Sequence, residues 1–258
     1  GEYGRTYGCP VIALAHEASV DVIATCSARL RDWFLAHGAP ASKLVVVPNA
    51  PGYPLDDADR RALLEARAAD RGDRSLRALF IGRLDRQKGV DRLAELIERC
   101  GRDGLPVDWR VVGEALVDGA AEEVDRIARL VSVEPPVFTA DARTDLYAWA
   151  DVVMLPSRYE GLPLTVLEAQ RCGAVPVVTQ AGAVEEAVTD GVDGFVVSQE
   201  GCVDEIIQLL RELATDRRRL AAIARVAADR TRDWSEVAKP LSDVVVTEIA
   251  RRRTAAGA

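Results

Sequence analysis

Four charged side chains, two basic and two acidic, have types and spacing that could do chemistry. Arg83 and Lys88 sit in Gly82-Arg-Leu-Asp-Arg-Gln-Lys-Gly89, and Glu160 and Glu168 lie in the stretch Pro156 to Thr179, PSRYEGLPLTVLEAQRCGAVPVVT. A guanidinium fork with a flexible ammonium suits a pyrophosphate, each charge-assisted bond being worth about 1.5–3 kcal/mol. Taken alone, the Arg83/Lys88 loop reads better as a solvated basic loop. The second stretch adds backbone N–H groups at Gly161, Leu162 and Leu164 at the positive end of a helix, which together make an anion site. Glu168 falls on a mostly apolar helix, so its carboxylate must find donors or protonate. Glu160 precedes that helix, with seven residues between the two glutamates. His16 invites a catalytic reading, but a surface or core histidine at an element end explains it better.

The elements that must position these groups follow from local signals. The opening stretch reads as strand Asp151–Leu155, a polar loop, a helix from about Pro163 to Gly173 and a strand from Ala174. Proline suits the first helical turn and glycine the residue past the last. Upstream, residues 11–15 are a strand or a helix tail. Residues 20–25 read as a strand feeding helix Ala28–His37 with Ser27 as N-cap, followed by strand Lys43–Val47. Polar residues 50–74, with Pro51, Gly52, Pro54, helix Asp57–Ala69 and loop Asp70–Arg74, mark a domain boundary. Beyond it, strands Leu76–Gly82, Asp108–Val112 and Val137–Thr139 alternate with helices Gly89–Cys100, Ala120–Val131 and Thr144–Ala150. After the opening stretch come helix Ala183–Thr189, strand Phe195–Val197 and helices Val203–Ala214, Asp216–Arg230 and Ser235 to about Arg253. This alternation predicts an α/β fold, a Rossmann-like parallel sheet with helices on both faces. Ligands of such sheets bind beyond the carboxyl ends of the strands, where both charged loops open.

With 258 residues, 48% of them apolar, the chain buries a large core. A net charge of -8 argues against nucleic acid as partner, and no apolar run is long enough to span a bilayer. The five cysteines, Cys9, Cys26, Cys100, Cys172 and Cys202, have no ligand spacing and read as reduced core residues of a cytosolic protein. Two histidines, without HExxH or Cys-x-x-Cys, give no metal site. Basic clusters Arg217–Arg219 and Arg251–Arg253 read as solvated helix faces, with peripheral contact to the inner membrane face as the alternative.

GRLDRQKG, the strand ending VVG, YAWADVVMLPSRYEGLPLTVLEAQRCGAVPVV and GAVEEAVTDGVDGFVV resemble, in that order, the carboxyl-terminal domain of retaining glycosyltransferases of the GT-B fold, family 4 in particular. The resemblance runs from about Val20 to Trp234. It implies the C-terminal half of a GT-B fold: residues 1–50 a remnant of the acceptor domain and interdomain crossing, 51–74 a linker and helix, 75–233 the nucleotide-sugar donor domain, and 234–258 the crossover helix. Most of the acceptor domain is then absent, as the start at Gly1 without methionine also suggests, and the chain alone is expected to be inactive. By the same resemblance Arg83 and Lys88 hold the donor diphosphate and Glu160 faces the sugar. Gly161, Leu162, Pro163 and Leu164 lie against the phosphates, and Glu168 takes the ribose hydroxyls, which would supply its missing donors. The donor is a nucleotide-diphosphate sugar, no cofactor or metal is required, and the acceptor is a sugar, a lipid-linked or a small molecule. Ala115 and Ala140 stand where the family usually has glycine, leaving base and sugar open. A non-catalytic nucleotide-binding module and an epimerase or phosphorylase on the same fold are the competing readings.

Overall fold

The computed structural model describes residues 9–52, 55–70, 74–115 and 120–256. Pro54, residues 71–73 of the expected loop and the Cys9 side chain lie outside the described residues. The chain divides into two compact units, Gly1–Ala50 with Arg232–Ala258, and Pro51–Thr231.

The smaller unit begins with α1 (Cys9–Ala15), β1 (Ile23–Thr25), α2 (Ala28–Ala36) and β2 (Leu44–Val46). Residues 11–15 are thus helical. Ser27 caps α2 as expected, its Oγ accepting the Leu30 N–H at 3.1 Å. β1 and β2 pair in parallel with Ile23 opposite Leu44.

The larger unit holds α3 (Asp57–Ala69), β3 (Leu76–Ile81), α4 (Val90–Arg102), β4 (Val107–Val112), α5 (Ala121–Ala128), β5 (Val133–Glu134) and α6 (Ala140–Trp149). It continues through β6 (Val152–Leu155), α7 (Leu164–Arg171), β7 (Val175–Thr179), β8 (Phe195–Val197), α8 (Cys202–Thr215) and α9 (Arg217–Arg230). The smaller unit resumes with α10 (Trp234–Val237) and α11 (Lys239–Ala256). Six strands form one parallel sheet in the order β5-β4-β3-β6-β7-β8. Strand side chains alternate between faces. Leu76 and Ala78 of β3 and Val152 and Met154 of β6 therefore join a core built with α4, α8 and α9. Leu79, Ile81, Val153 and Leu155 face the other way and pack with α6 and α7. The sheet is covered on both faces, which is why its strands read as continuous apolar runs. α3 contributes Leu64 to the first core, so this part of the 51–74 segment belongs to the packed unit.

Several element boundaries differ from expectation, each for a local reason. Val137–Thr139 is not a strand: the strand is β5, whose Val133 and Glu134 pair with Val111 and Val112 before Pro135-Pro136, where two successive residues lack a donor. α6 starts at Ala140, earlier than Thr144, because Thr139 Oγ1 accepts the Ala142 N–H at 3.4 Å. Of the expected helix Ala183–Thr189 only a 3-10 turn at Val184–Glu186 forms. The last helix divides at Ala238, and Pro240 falls in the first turn of α11, where its missing donor costs nothing. Arg217 is not on a solvated face; it is buried, with Asp151 as its ion-pair partner. Arg251 and Arg252 are exposed and pair with Glu248, Arg252 also with Asp21. Cys100, Cys172 and Cys202 are buried and Cys26 half-buried, all as free thiols. No helix among the described residues is long and apolar enough to cross a membrane.

Candidate functional site

The loops that leave the carboxyl ends of β3, β6 and β7 are pressed together, and two glycines allow it. Gly89, at φ 74°, packs so closely on the loop after β6 that a Cβ would stand 2.0 Å from the Pro156 carbonyl oxygen. Gly182, at φ 58°, lies against the Glu160 backbone, where a Cβ would come within 1.6 Å of its carbonyl oxygen. Only glycine takes this backbone without strain and without a side chain in the way. Hydrogen bonds fasten the same contact. The Arg158 N–H donates to the Gln87 carbonyl at 2.8 Å. The Arg158 guanidinium makes a bidentate pair with Asp91, both bonds 2.7 Å, which holds the Asp91 carboxyl below its ordinary value.

This packing brings Lys88 and Glu160 into direct contact. Lys88 Nζ donates to the two Glu160 carboxylate oxygens at 2.8 and 2.9 Å, and Ser157 Oγ–H donates to Oε1 at 2.7 Å. The Glu160 side chain is 6% exposed and that of Lys88 22%. Asp85, itself buried, accepts the Lys88 N–H at 2.9 Å and forms an ion pair with Arg83 at 3.3 Å. Arg83 also donates to Gln87 Oε1 at 3.2 Å. Each of the two basic side chains is thus paired with a carboxylate, Arg83 with Asp85 and Lys88 with Glu160.

Glu168 already has protein donors, which corrects the expectation that it lacks them. Tyr147 O–H, fully buried, donates to Oε2 at 2.7 Å, and Arg143 Nη1 lies 3.1 Å from Oε1 and 3.4 Å from Oε2. These contacts use three of the roughly four acceptor positions of a carboxylate. Gly52 lies beside Oε1, where even a Cβ would approach to 3.2 Å. Room for one more donor on Oε1 thus depends on a residue with no side chain. Arg143 also lines, with Arg83, Gly82, Gly113, Glu114 and Val137, a pocket of about 160 Å³. Phe138 stands at the same pocket, 85% exposed.

Pro163 immediately precedes α7 with extended backbone, φ -72° and ψ 122°, and the first helical residue is Leu164. No side chain caps α7, and the positive end of the helix lies at this loop. Gly161 accepts the Ala183 N–H at 3.2 Å; Leu162 and Pro163 are buried, and Leu164 is exposed. Motif reading missed Asp85, Arg143, Tyr147, Ser157 and Gly182. Tyr147 carried a signal, since a phenol on a buried helix face needs a polar partner. No group of three or more His, Cys, Asp or Glu among the described residues could hold a metal ion. His16 is exposed, its carbonyl accepting the Ser19 N–H at 2.9 Å.

Residues 75–216 match the family model described as glycosyl transferases group 1. The D-inositol 3-phosphate glycosyltransferase of Xylanimonas cellulosilytica is 33% identical over 268 aligned positions, covering 96% of this chain and 61% of that protein. A glycogen synthase of Thermodesulfovibrio yellowstonii is 26% identical, over 62% of this chain and 33% of its own length. The chain thus spans at most about three fifths of these relatives. Among solved structures, Anabaena Alr3699/HepE in complex with UDP-glucose superposes with a TM-score of 0.74 at 22% identity, over 92% of this chain and 67% of that one. The catalytic domain of Arabidopsis thaliana starch synthase IV bound to ADP and acarbose gives 0.70 at 16% identity, over 92% of this chain and 58% of that one.

Proposed function

The chain belongs to the group 1 glycosyl transferases, and from that premise we propose that it carries the donor-binding half of a retaining enzyme of family 4, which moves a sugar from a nucleoside diphosphate to an acceptor. One observation supports this most: the Lys88–Glu160 contact places an ammonium and a buried carboxylate beside the uncapped start of α7, next to a pocket shared by Arg83 and Arg143. A diphosphate bound there takes the charge of Arg83 and Lys88 and the N–H groups of the Gly161–Leu164 segment. The nucleoside occupies the pocket, with Phe138 against the base and Glu168 accepting a ribose hydroxyl on Oε1.

When the glycosidic bond breaks, negative charge develops on the leaving phosphate. Groups already oriented toward that charge stabilise the transition state more than the ground state. Arg83 and Lys88 serve that role here. Glu160 then faces the sugar once the diphosphate draws Lys88 toward itself. Attack on the same face as departure retains configuration, with the phosphate accepting the acceptor's proton. The charge comes from side chains and a helix end, so chelators leave donor binding intact. The relatives' names mention different molecules, D-inositol 3-phosphate in one case and glycogen in another; in this reading the acceptor is a sugar, a lipid-linked or a small molecule.

The experiment is a thermal-shift screen of nucleotide sugars, UDP- and ADP-sugars first because neighbouring folds were solved with UDP-glucose and ADP. Stabilisation by one nucleotide series and not by the free sugars is expected. No stabilisation by any of them would remove the donor-site reading.

A further inference from the structure

The two carboxylate oxygens of Glu160 are not equivalent. Oε1 accepts from the Ser157 O–H at 2.7 Å and from Lys88 Nζ at 2.8 Å, whereas Oε2, among the described residues, accepts from Lys88 alone, at 2.9 Å. The side chain is 6% exposed, so water does little to replace a missing donor, and an ionised carboxylate deprived of one is costly. When Lys88 turns to a diphosphate, Oε1 keeps Ser157 and Oε2 keeps no donor. The ligand must then bring an O–H or N–H of its own to Oε2.

Ser157 sets this asymmetry. Its side chain is buried, and a serine hydroxyl has a single hydrogen to donate, whose direction follows from χ1 once the backbone is held. Here the carbonyls on both sides of the Ser157 Cα are held. That of Pro156 accepts from Arg92 Nη1 of α4 at 3.0 Å. That of Ser157 accepts from Gln199 Nε2 at 3.0 Å and from the buried Thr179 hydroxyl of β7. The holders are tied to one another as well: Arg92 Nη2 donates to the Gln199 carbonyl at 3.1 Å, and Gln199 Nε2 also to the Gln180 carbonyl at 3.0 Å. Helix α4, strand β7 and the loops after β7 and β8 thus converge on one residue. Among the described residues no hydrogen bond joins Arg92, Thr179 or Gln199 to Glu160; they act on it through Ser157.

We infer that Ser157 is a positioning residue for Glu160: it holds Oε1 and leaves Oε2 for the donor sugar, which must present a hydroxyl there. The inference rests on the donor-site reading above. It gives Ser157 a part in telling a nucleotide sugar from its nucleoside diphosphate and no part in holding the diphosphate, which falls to Arg83, Lys88 and the start of α7.

The test is a ratio of dissociation constants measured by calorimetry on the full chain, UDP-glucose against UDP and ADP-glucose against ADP, for wild type, Ser157→Ala and Thr179→Val, with melting midpoints to confirm that both variants fold. In the nucleotide series that the wild type binds, Ser157→Ala should weaken the nucleotide sugar at least about tenfold relative to the nucleoside diphosphate. Thr179→Val should move the ratio in the same direction by a smaller factor, because Gln199 still holds the Ser157 carbonyl; if Ser157→Ala does not fold, the Thr179→Val ratio decides alone. A merely structural role would weaken both ligands together and leave the ratio unchanged. An unchanged ratio overturns the inference and leaves the donor site in place, whereas a wild-type chain that binds none of the four ligands removes the donor site and the inference with it.

Discussion

Lys88→Met and Glu160→Gln should have unequal effects, because the two partners of that ion pair are unequally buried. The Glu160 side chain is 6% exposed and that of Lys88 22%. Removing Lys88 leaves a buried carboxylate with only the Ser157 hydroxyl as side-chain donor, which costs about 3–5 kcal/mol for an uncompensated buried charge. Removing the Glu160 charge leaves an ammonium on a flexible stem that can turn to solvent, at about 1 kcal/mol. The double variant, a neutral amide facing a thioether, should recover most of the loss, giving a coupling of about 3 kcal/mol. At roughly 2–4 °C per kcal/mol for a unit of this size, Lys88→Met lowers the melting midpoint by about 6 °C or more, while Glu160→Gln lowers it by about 4 °C at most. Nucleoside-diphosphate affinity separates stability from function: the double variant, although stable, loses at least about tenfold because the ammonium is gone. Equal, additive costs for the two single substitutions would refute the reasoning, since they would mean a solvent-screened pair that restrains neither side chain.

Tyr147→Phe removes a 2.7 Å hydrogen bond to Glu168 and should cost about 1.5–3 kcal/mol in urea unfolding; a neutral result would mean that Glu168 finds its donors elsewhere. Asp151→Asn tests the arginine cluster around that carboxylate, with Arg74 at 2.6 Å and Arg217 at 3.4 Å. The folded Asp151 carboxyl lies below its unfolded value, so its contribution is complete above about pH 4 and is lost as pH falls through the folded value. The variant should be less stable at pH 7 and show a flatter acid limb when midpoints are measured from pH 7 downward; an unchanged acid limb would count against the cluster. Gly182→Ala, with its Cβ placed 1.6 Å from the Glu160 carbonyl oxygen, must displace the loop and should weaken nucleotide binding by about tenfold or more on top of about 1–3 kcal/mol of strain. Burial pushes the thiols of Cys100 and Cys172 up to about 11, so mass mapping after brief alkylation at pH 8 should find both unmodified in the folded chain.

The sheet, its parallel direction and its two covered faces were legible because strand runs and helix periods alternate regularly from Leu76 onward. Loop residues near the motif were legible for the same reason: Arg83, Lys88, Glu160 and Glu168 are polar exceptions in apolar or glycine-bounded surroundings. What escaped was pairing across long sequence separations. Tyr147 and Arg143 meet Glu168 from a different helix, and Asp85 steadies Arg83 and Lys88 through a loop conformation that no periodicity encodes. Arg217 looked like one of three surface arginines, but its position at the first turn of α9 turns it toward Asp151. The Pro135-Pro136 pair made β5 start four residues earlier than the apolar run at Val137 suggested, because hydrogen-bonding capacity outweighed hydrophobicity there.

The central claim is that the loops after β3 and β6 bind a nucleoside diphosphate, and calorimetry tests it most directly. Titrating UDP and ADP into the wild-type chain, Arg83→Ala and Glu168→Ala should show binding of one nucleotide by the wild type and at least about tenfold weaker binding by each variant. A folded wild-type chain that binds neither nucleotide, or the same affinity in all three proteins, would contradict it.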